Sequence, residues 1–140
     1  MLTRSSSGPT VEAVMTRMPV VVVESDAIGA VAELLVGNEI TGLPVLDATD
    51  RLVGVISQTD LVRLRGSAVP RTDWHGLIVR DLMTTPAKTI QGWESLDEAA
   101  RRMTEEHVHR LVVVDERDRP LGVITEGDIV REIADCCEDG

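Results

Sequence analysis

The chain has 140 residues, 43% of them hydrophobic, and its 14 basic and 24 acidic side chains leave a formal charge of −10. That length and apolar share suit one compact domain or two small halves with a self-sufficient core, while Trp74 and Trp93 are too few to form an aromatic platform for single-stranded nucleic acid. The acidic balance repels phosphate backbones and anionic lipids, and no apolar run reaches the roughly 20 residues of a membrane span, so neither nucleic acid nor a membrane is expected as a partner.

In chain order, residues 1–10 read as a flexible tail, because Arg4-Ser5-Ser6-Ser7-Gly8 is small and polar and no apolar stretch of a secretory signal is present. A β-rich run at residues 20–23 follows. Ile28, Val31, Ala32 and Leu35 then recur at i, i+3, i+4 and i+7, which predicts an amphipathic helix starting at Ser25 or Asp26. Two apolar runs, 43–46 and 52–56, flank the polar stretch 47–51 and predict a hairpin. A second helix carries Leu61, Val62 and Leu64. Residues 66–78 form a connector rich in turn formers, with Trp74 expected to plug a gap between halves or at a dimer contact.

The same order then recurs. A strand at 88–90 precedes a helix with Leu96, Ala99, Ala100 and Met103 on one face and a capping-box start at Ser95 and Glu98. Residues 111–114 and 121–124 predict a second hairpin, and Ile129, Val130 and Ile133 a last helix. From Met15 to Met83 the offset is 68, and it brings many pairs into register: Met15-Thr16 with Met83-Thr84, Gly54-Val55-Ile56 with Gly122-Val123-Ile124, Asp60 with Asp128, Val62-Arg63 with Val130-Arg131. The register slips by one near Pro19 and Pro86. The expected architecture is therefore α/β, a βαββα unit used twice: repeat 1 at 11–65, repeat 2 at 79–135, and a short C-terminal tail at 136–140. One such unit would bury little alone, and packing two about a pseudo-two-fold axis solves that problem.

Ser57-x-x-Asp60 and Thr125-x-x-Asp128 place a hydroxyl and a carboxylate at the start of the last helix of each repeat. One reading is a capping box, which also suits the helix dipole. The other is recognition of a vicinal diol, since an ionised carboxylate only accepts hydrogen bonds and a diol offers two donors. The two roles are compatible. Asp47 and Asp115 read as hairpin-turn formers, and His75 as a solvated loop residue. His107 and His109 make an incomplete metal set, so no metal is expected. Adjacent Cys136 and Cys137 read as reduced thiols of a cytoplasmic protein.

Val14-Met15-Thr16 with Pro19, Thr41-Gly42-Leu43-Pro44-Val45 and Gly54-Val55-Ile56-Ser57-Gln58-Thr59-Asp60 resemble one cystathionine-β-synthase-type (CBS) repeat. Leu82-Met83-Thr84 with Pro86, His109-Arg110-Leu111 and Gly122-Val123-Ile124-Thr125-Glu126-Gly127-Asp128 resemble a second. The resemblance covers nearly the whole chain and implies a CBS pair, or Bateman module, with clefts that take AMP, ADP, ATP, S-adenosylmethionine or a related adenosyl ligand. It implies one site formed by Ser57, Asp60, Thr84, Ala87, Lys88, His109 and Arg110, and another by Thr16, Val20, Val21, Thr41, Gly42, Thr125 and Asp128. In each, the aspartate would hold ribose hydroxyls. His109 and Arg110 give the first site charge for phosphate that Thr41 and Gly42 do not give the second, so the Asp60 site is expected to take the more phosphorylated ligand. Arg63 and Arg131 read either as surface helix arginines or as further phosphate ligands. No nucleophile-elbow, P-loop or zinc-protease spacing appears, so a non-enzymatic protein is expected, and the resemblance implies a homodimeric sensor acting in trans on an unidentified protein, with no required cofactor. The alternative is a dimeric interaction scaffold with degenerate, ligand-free clefts.

Overall fold

A computed structural model of the protein describes residues 8–17 and 20–137. Pro19 and the outer parts of both expected tails, 1–7 and 138–140, lie outside the described residues. The described chain falls into two compact units, one of residues 20–87 and one of residues 8–17 with 88–137. The units differ from the contiguous halves expected from the repeat. Each takes in the short opening segment of the other repeat, 79–87 in the first unit and 11–17 in the second.

In the unit 20–87, β2 (Val22–Val23) runs parallel to β3 (Gly42–Leu46), which pairs antiparallel with β4 (Leu52–Ser57). The helices α2 (Ile28–Asn38), α3 (Gln58–Arg65) and α4 (Val79–Leu82) complete it. On α2 the buried residues are Ile28, Val31 and Leu35, the stripe that the spacing predicts. The helix start differs. Ala27 is the N-cap, because the Asp26 carboxylate turns back to accept the Val23 N–H at 2.9 Å, and the Ile28 N–H reaches the Leu77 carbonyl at 3.2 Å. A free helix-start amide needs a partner, and backbone from the connector supplies it. On α3, Leu64 is buried but Val62 is 67% exposed, so the expected apolar set on this helix is not one buried face.

The connector contains a 3-10 turn at Arg71–Gly76. Trp74 lies in it half-buried and is accounted for inside its own unit: its Nε1 donates to the Val69 carbonyl at 3.3 Å, and the Arg65 guanidinium stands 5.9 Å from the ring centroid. It lines a groove of about 500 Å3 with Ala27, Ile28 and Leu64.

In the other unit, α1 (Val11–Val14) leads into β1 (Thr16–Arg17). The sheet runs β1-β7-β6-β5, with β5 (Thr89–Gln91), β6 (Arg110–Val114) and β7 (Pro120–Thr125). The helices are α5 (Leu96–Glu106) and α6 (Glu126–Cys137). Val11, Met15, Ile90, Leu96, Ala99, Met103, Leu111, Val113 and Ile124 form the core, drawn from both ends of the unit's sequence. The expected tails are shorter than read. The Leu96 N–H donates to the Pro9 carbonyl at 3.2 Å and Thr10 caps α1, while α6 continues through Cys137. Only half of the predicted capping box at α5 forms. Ser95 Oγ accepts the Glu98 N–H at 3.1 Å, but the Glu98 carboxylate pairs with Arg101 and Arg102, which hold it below the usual carboxylate range.

The hairpin loops repeat closely. Asp47 Oδ1 accepts from the Thr49 N–H at 2.8 Å, the Thr49 hydroxyl at 2.7 Å and the Arg51 N–H at 3.0 Å. Asp115 Oδ1 accepts from the Arg117 and Arg119 N–H groups at 2.8 and 3.0 Å. Asp50 and Asp118 hold φ of 65° and 62°, the left-handed geometry that lets each loop close. The hydrogen bond from the Thr49 side chain, then the Arg51 backbone, lowers the Asp47 pKa; the Arg119 backbone leads for Asp115. A carboxyl lowered on folding stabilises the protein above its unfolded value and loses that contribution as pH falls through its folded pKa. The stability gap between the wild type and an Asp47→Asn/Asp115→Asn variant is therefore expected to stay constant down to about pH 3.8 and to narrow below it, as read by urea unfolding across pH. Among the described residues no helix is long and apolar enough to cross a membrane.

Candidate ligand-binding site

The two aspartates singled out by sequence are the buried charged residues of the chain's described core, Asp60 at 4% exposure and Asp128 at 2%. Each sits in the first turn of the helix that follows a hairpin. Asp60 Oδ2 accepts from the Ser57 backbone N–H at 2.8 Å and the Ser57 hydroxyl at 3.1 Å, and the Asp60 N–H donates back to Ser57 Oγ at 3.4 Å. This is the reciprocal capping box that the spacing allowed. On the other oxygen, Asp60 Oδ1 accepts from the Thr84 hydroxyl at 3.1 Å and from Arg63 Nη1 at 3.4 Å.

The second unit repeats the arrangement. Asp128 Oδ2 accepts from the Thr125 N–H at 2.9 Å, and the Asp128 N–H donates to Thr125 Oγ1 at 3.2 Å. Asp128 Oδ1 accepts from the Thr16 hydroxyl at 3.1 Å and from Arg131 Nη2. Thr16 and Thr84 thus stand where sequence grouped them, each beside its carboxylate.

The threonines come from segments that add to a sheet edge. Thr84 pairs with Val55, exchanging hydrogen bonds of 2.8 and 3.0 Å, and β1 places Thr16 opposite Val123 of β7. Both approaches need glycine. A Cβ on Gly54 would stand 2.6 Å from the Thr84 carbonyl oxygen, and one on Gly122 would stand 2.5 Å from that of Thr16. Sequence reasoning registered these glycines as matched positions but missed their role.

The remaining expected residues divide by unit. Gly42 lies opposite Ser57, and the Thr41 carbonyl accepts the Gln58 N–H at 2.9 Å. Ala87, Val20 and Val21 belong to this same unit, with Val21 39% exposed. Arg110 lies opposite Thr125, and the His109 carbonyl accepts the Glu126 N–H at 3.1 Å. The exposed His109 ring meets Glu126 at 3.1 Å, and Lys88 pairs with Glu106 at 3.1 Å. Glu106 was not singled out from the sequence, and Glu126 was quoted there only as a member of the second repeat's motif.

Among the described residues, grooves of about 470–500 Å3 lie beside Trp93, between α2 and α3, and at Trp74; neither carboxylate lines them, but Thr41 lines the second.

The duplicated helix-start carboxylate, each with a threonine from an added edge segment, is what the family comparison meets. The CBS domain matches residues 11–67 and again residues 79–135. The chain belongs to the CBS-domain family. The CBS domain-containing protein CBSX1 of Arabidopsis thaliana, a chloroplastic protein, is 35% identical over 123 residues, covering 71% of this chain and 52% of that protein. The 5'-AMP-activated protein kinase subunit gamma-3 of Sus scrofa is 32% identical over 120 residues, covering 81% of this chain and 23% of the subunit. The chain thus spans about half the length of CBSX1, and less of the kinase subunit. The crystal structure of CBSX2, whose plant source is Arabidopsis thaliana, in complex with AMP is 34% identical, superposes with a TM-score of 0.77, and covers 92% of this chain and 98% of that one. The two CBS repeats of this chain accordingly have the mixed α/β fold of solved CBS pairs.

Proposed function

We propose that this CBS pair is a non-enzymatic regulatory module that binds an adenosine-containing ligand, with Asp60 and Asp128 receiving ribose hydroxyls. One observation carries the reading: a buried, anchored carboxylate, an acceptor for hydroxyl donors, occurs twice, at equivalent helix starts. The 34% identical CBSX2 structure contains AMP, which supports adenosine as the common part of the ligand. Lys88 and Arg110 supply cations for phosphate and the His109 ring a further hydrogen-bond donor, and Arg's planar fork suits a phosphoryl group best. Ser57, Thr125, Thr16 and Thr84 fix the carboxylates, while Thr41, Gly42, Val20, Val21 and Ala87 flank the base. AMP, ADP, ATP and S-adenosylmethionine are the candidates. The exposed free thiols of Cys136 and Cys137 suit a reducing, cytoplasm-like compartment. A homodimer acting on a separate regulated protein completes the proposal.

The test is a thermal-shift panel of adenosine, those four ligands and guanosine counterparts. A ligand that binds only the native state at 100 times its Kd adds about 2.7 kcal/mol of stability. At least one adenosine compound is expected to raise the melting temperature and its guanosine counterpart is not. No shift with any adenosine compound at millimolar concentration counts against the reading. Arg110→Ala is expected to reduce the preference for ATP over adenosine about tenfold in the same titrations, since one charge-assisted hydrogen bond is lost.

A second reading, an interaction scaffold without ligand, is favoured by one observation: Val62, Val130 and Ile133 are 67%, 63% and 53% exposed on α3 and α6. Sedimentation at micromolar concentration tests the dimer that both readings share.

A further inference from the structure

Protein donors already fill the Asp60 carboxylate and most of the Asp128 carboxylate, and this decides how a ligand can enter. A carboxylate offers about four acceptor directions. Asp60 uses all four: Oδ2 on the Ser57 N–H and hydroxyl, Oδ1 on Thr84 and Arg63. A diol that donates to it must displace existing donors. The Ser57 N–H is backbone and caps α3. Thr84 is held by its two backbone bonds to Val55, and its carbonyl occupies the space beside Gly54. Arg63 is different. Its side chain is 73% exposed, it rests on a flexible stem, and its single contact is the longest of the four at 3.4 Å. Asp128 takes three donors, the Thr125 N–H, Thr16 and Arg131, so a diol, which brings two donors, must still displace one; Arg131 is 70% exposed, while β1 and Gly122 hold Thr16.

We propose that Arg63 and Arg131 are displaceable placeholders that set ligand specificity. Each neutralises its carboxylate, yields Oδ1 to the ribose diol, and on release reaches the ligand's phosphate. An uncharged nucleoside must displace the arginine without using it, whereas a nucleotide recovers the lost ion pair through its phosphoryl oxygens. The carboxylate ends of these pairs are buried, but the arginine ends are exposed, so a released guanidinium passes directly into water. The inference deepens the adenosine-binding reading and rests on it.

Calorimetric titration with adenosine and with AMP tests it, using the wild type, Arg63→Ala, Arg131→Ala, the double arginine variant and Asp60→Asn/Asp128→Asn. The double arginine variant is expected to bind adenosine roughly two- to five-fold more tightly, while its AMP-over-adenosine preference falls roughly tenfold. A merely structural arginine would weaken both ligands together. Adenosine binding that is unchanged or weakened in the arginine variants, but lost in the aspartate variant, overturns the placeholder role and leaves the adenosine site standing. Binding of neither ligand by the wild type, or equal binding by the aspartate variant, overturns the site and the placeholder with it.

Discussion

Replacing Asp60 by asparagine is expected to lower adenosine affinity at that site by about 10- to 100-fold while leaving the chain folded. The amide keeps one carbonyl oxygen, which is enough to accept the Ser57 N–H now bonded at 2.8 Å and so preserve the start of α3. Its NH2 then faces the Thr84 hydroxyl and Arg63, which approach as donors. The same mismatch meets an incoming ribose hydroxyl. A hydrogen bond to a charged group contributes about 1.5–3 kcal/mol, and each 1.4 kcal/mol is a factor of ten. Loss of one such bond gives the stated range. The cost to folding is smaller, about 1–2 kcal/mol, because the cap survives. Asp128→Asn is expected to act alike through Thr125 and Thr16. Calorimetry with adenosine reads the affinity, and urea unfolding reads the stability. If both variants, alone and combined, bind adenosine like the wild type, the two carboxylates are helix caps and nothing more.

How much of this was legible in the sequence follows the range of each interaction. The βαββα order, the α2 and α5 stripes and both hairpins rest on periodicity and on turn chemistry within a few residues, and Asp47 and Asp115 close their loops as read. The Ser57-Asp60 capping box is equally local. The segment exchange was not legible. β1 is two residues long, and its partner β7 lies more than a hundred residues away. Pairing at that distance leaves no spacing to read. Its trace was nonetheless present, in Met15-Thr16 matching Met83-Thr84 and in Gly54 matching Gly122, since a threonine that crosses a sheet edge and the glycine beneath it must recur together. The outcome of side-chain competition was also hidden. Arg101 and Arg102 stand three and four residues after Glu98, and Arg63 three after Asp60, so spacing makes them helix-surface neighbours; what it leaves open is whether the carboxylate goes to its arginines or to the helix cap.

Those glycines give the largest expected loss of stability. In Gly122→Ala the new Cβ meets the Thr16 carbonyl oxygen at 2.5 Å and the Met15 sulfur at 3.0 Å. The sulfur can move on its flexible stem, but the carbonyl is backbone. Either the pairing of Arg17 with residue 122 is given up or β7 shifts, and a forced overpacking of this kind costs about 1–3 kcal/mol. Moving β1 also withdraws Thr16 from Asp128, so the variant loses a donor to a carboxylate that is 98% buried by its 2% exposure. Gly54→Ala does the same to Thr84 and Asp60 in the other unit, with 2.6 Å to the carbonyl oxygen. Gly37→Ala on α2 is the opposite control: a Cβ there has nothing within 4 Å, and alanine is expected to stabilise by about 0.4–1 kcal/mol through the unfolded chain. Urea midpoints of the three variants should therefore fall on both sides of the wild type. A Gly122→Ala protein as stable as the wild type would mean that β1 does not lie against β7, and the position of Thr16 beside Asp128 would fall with it.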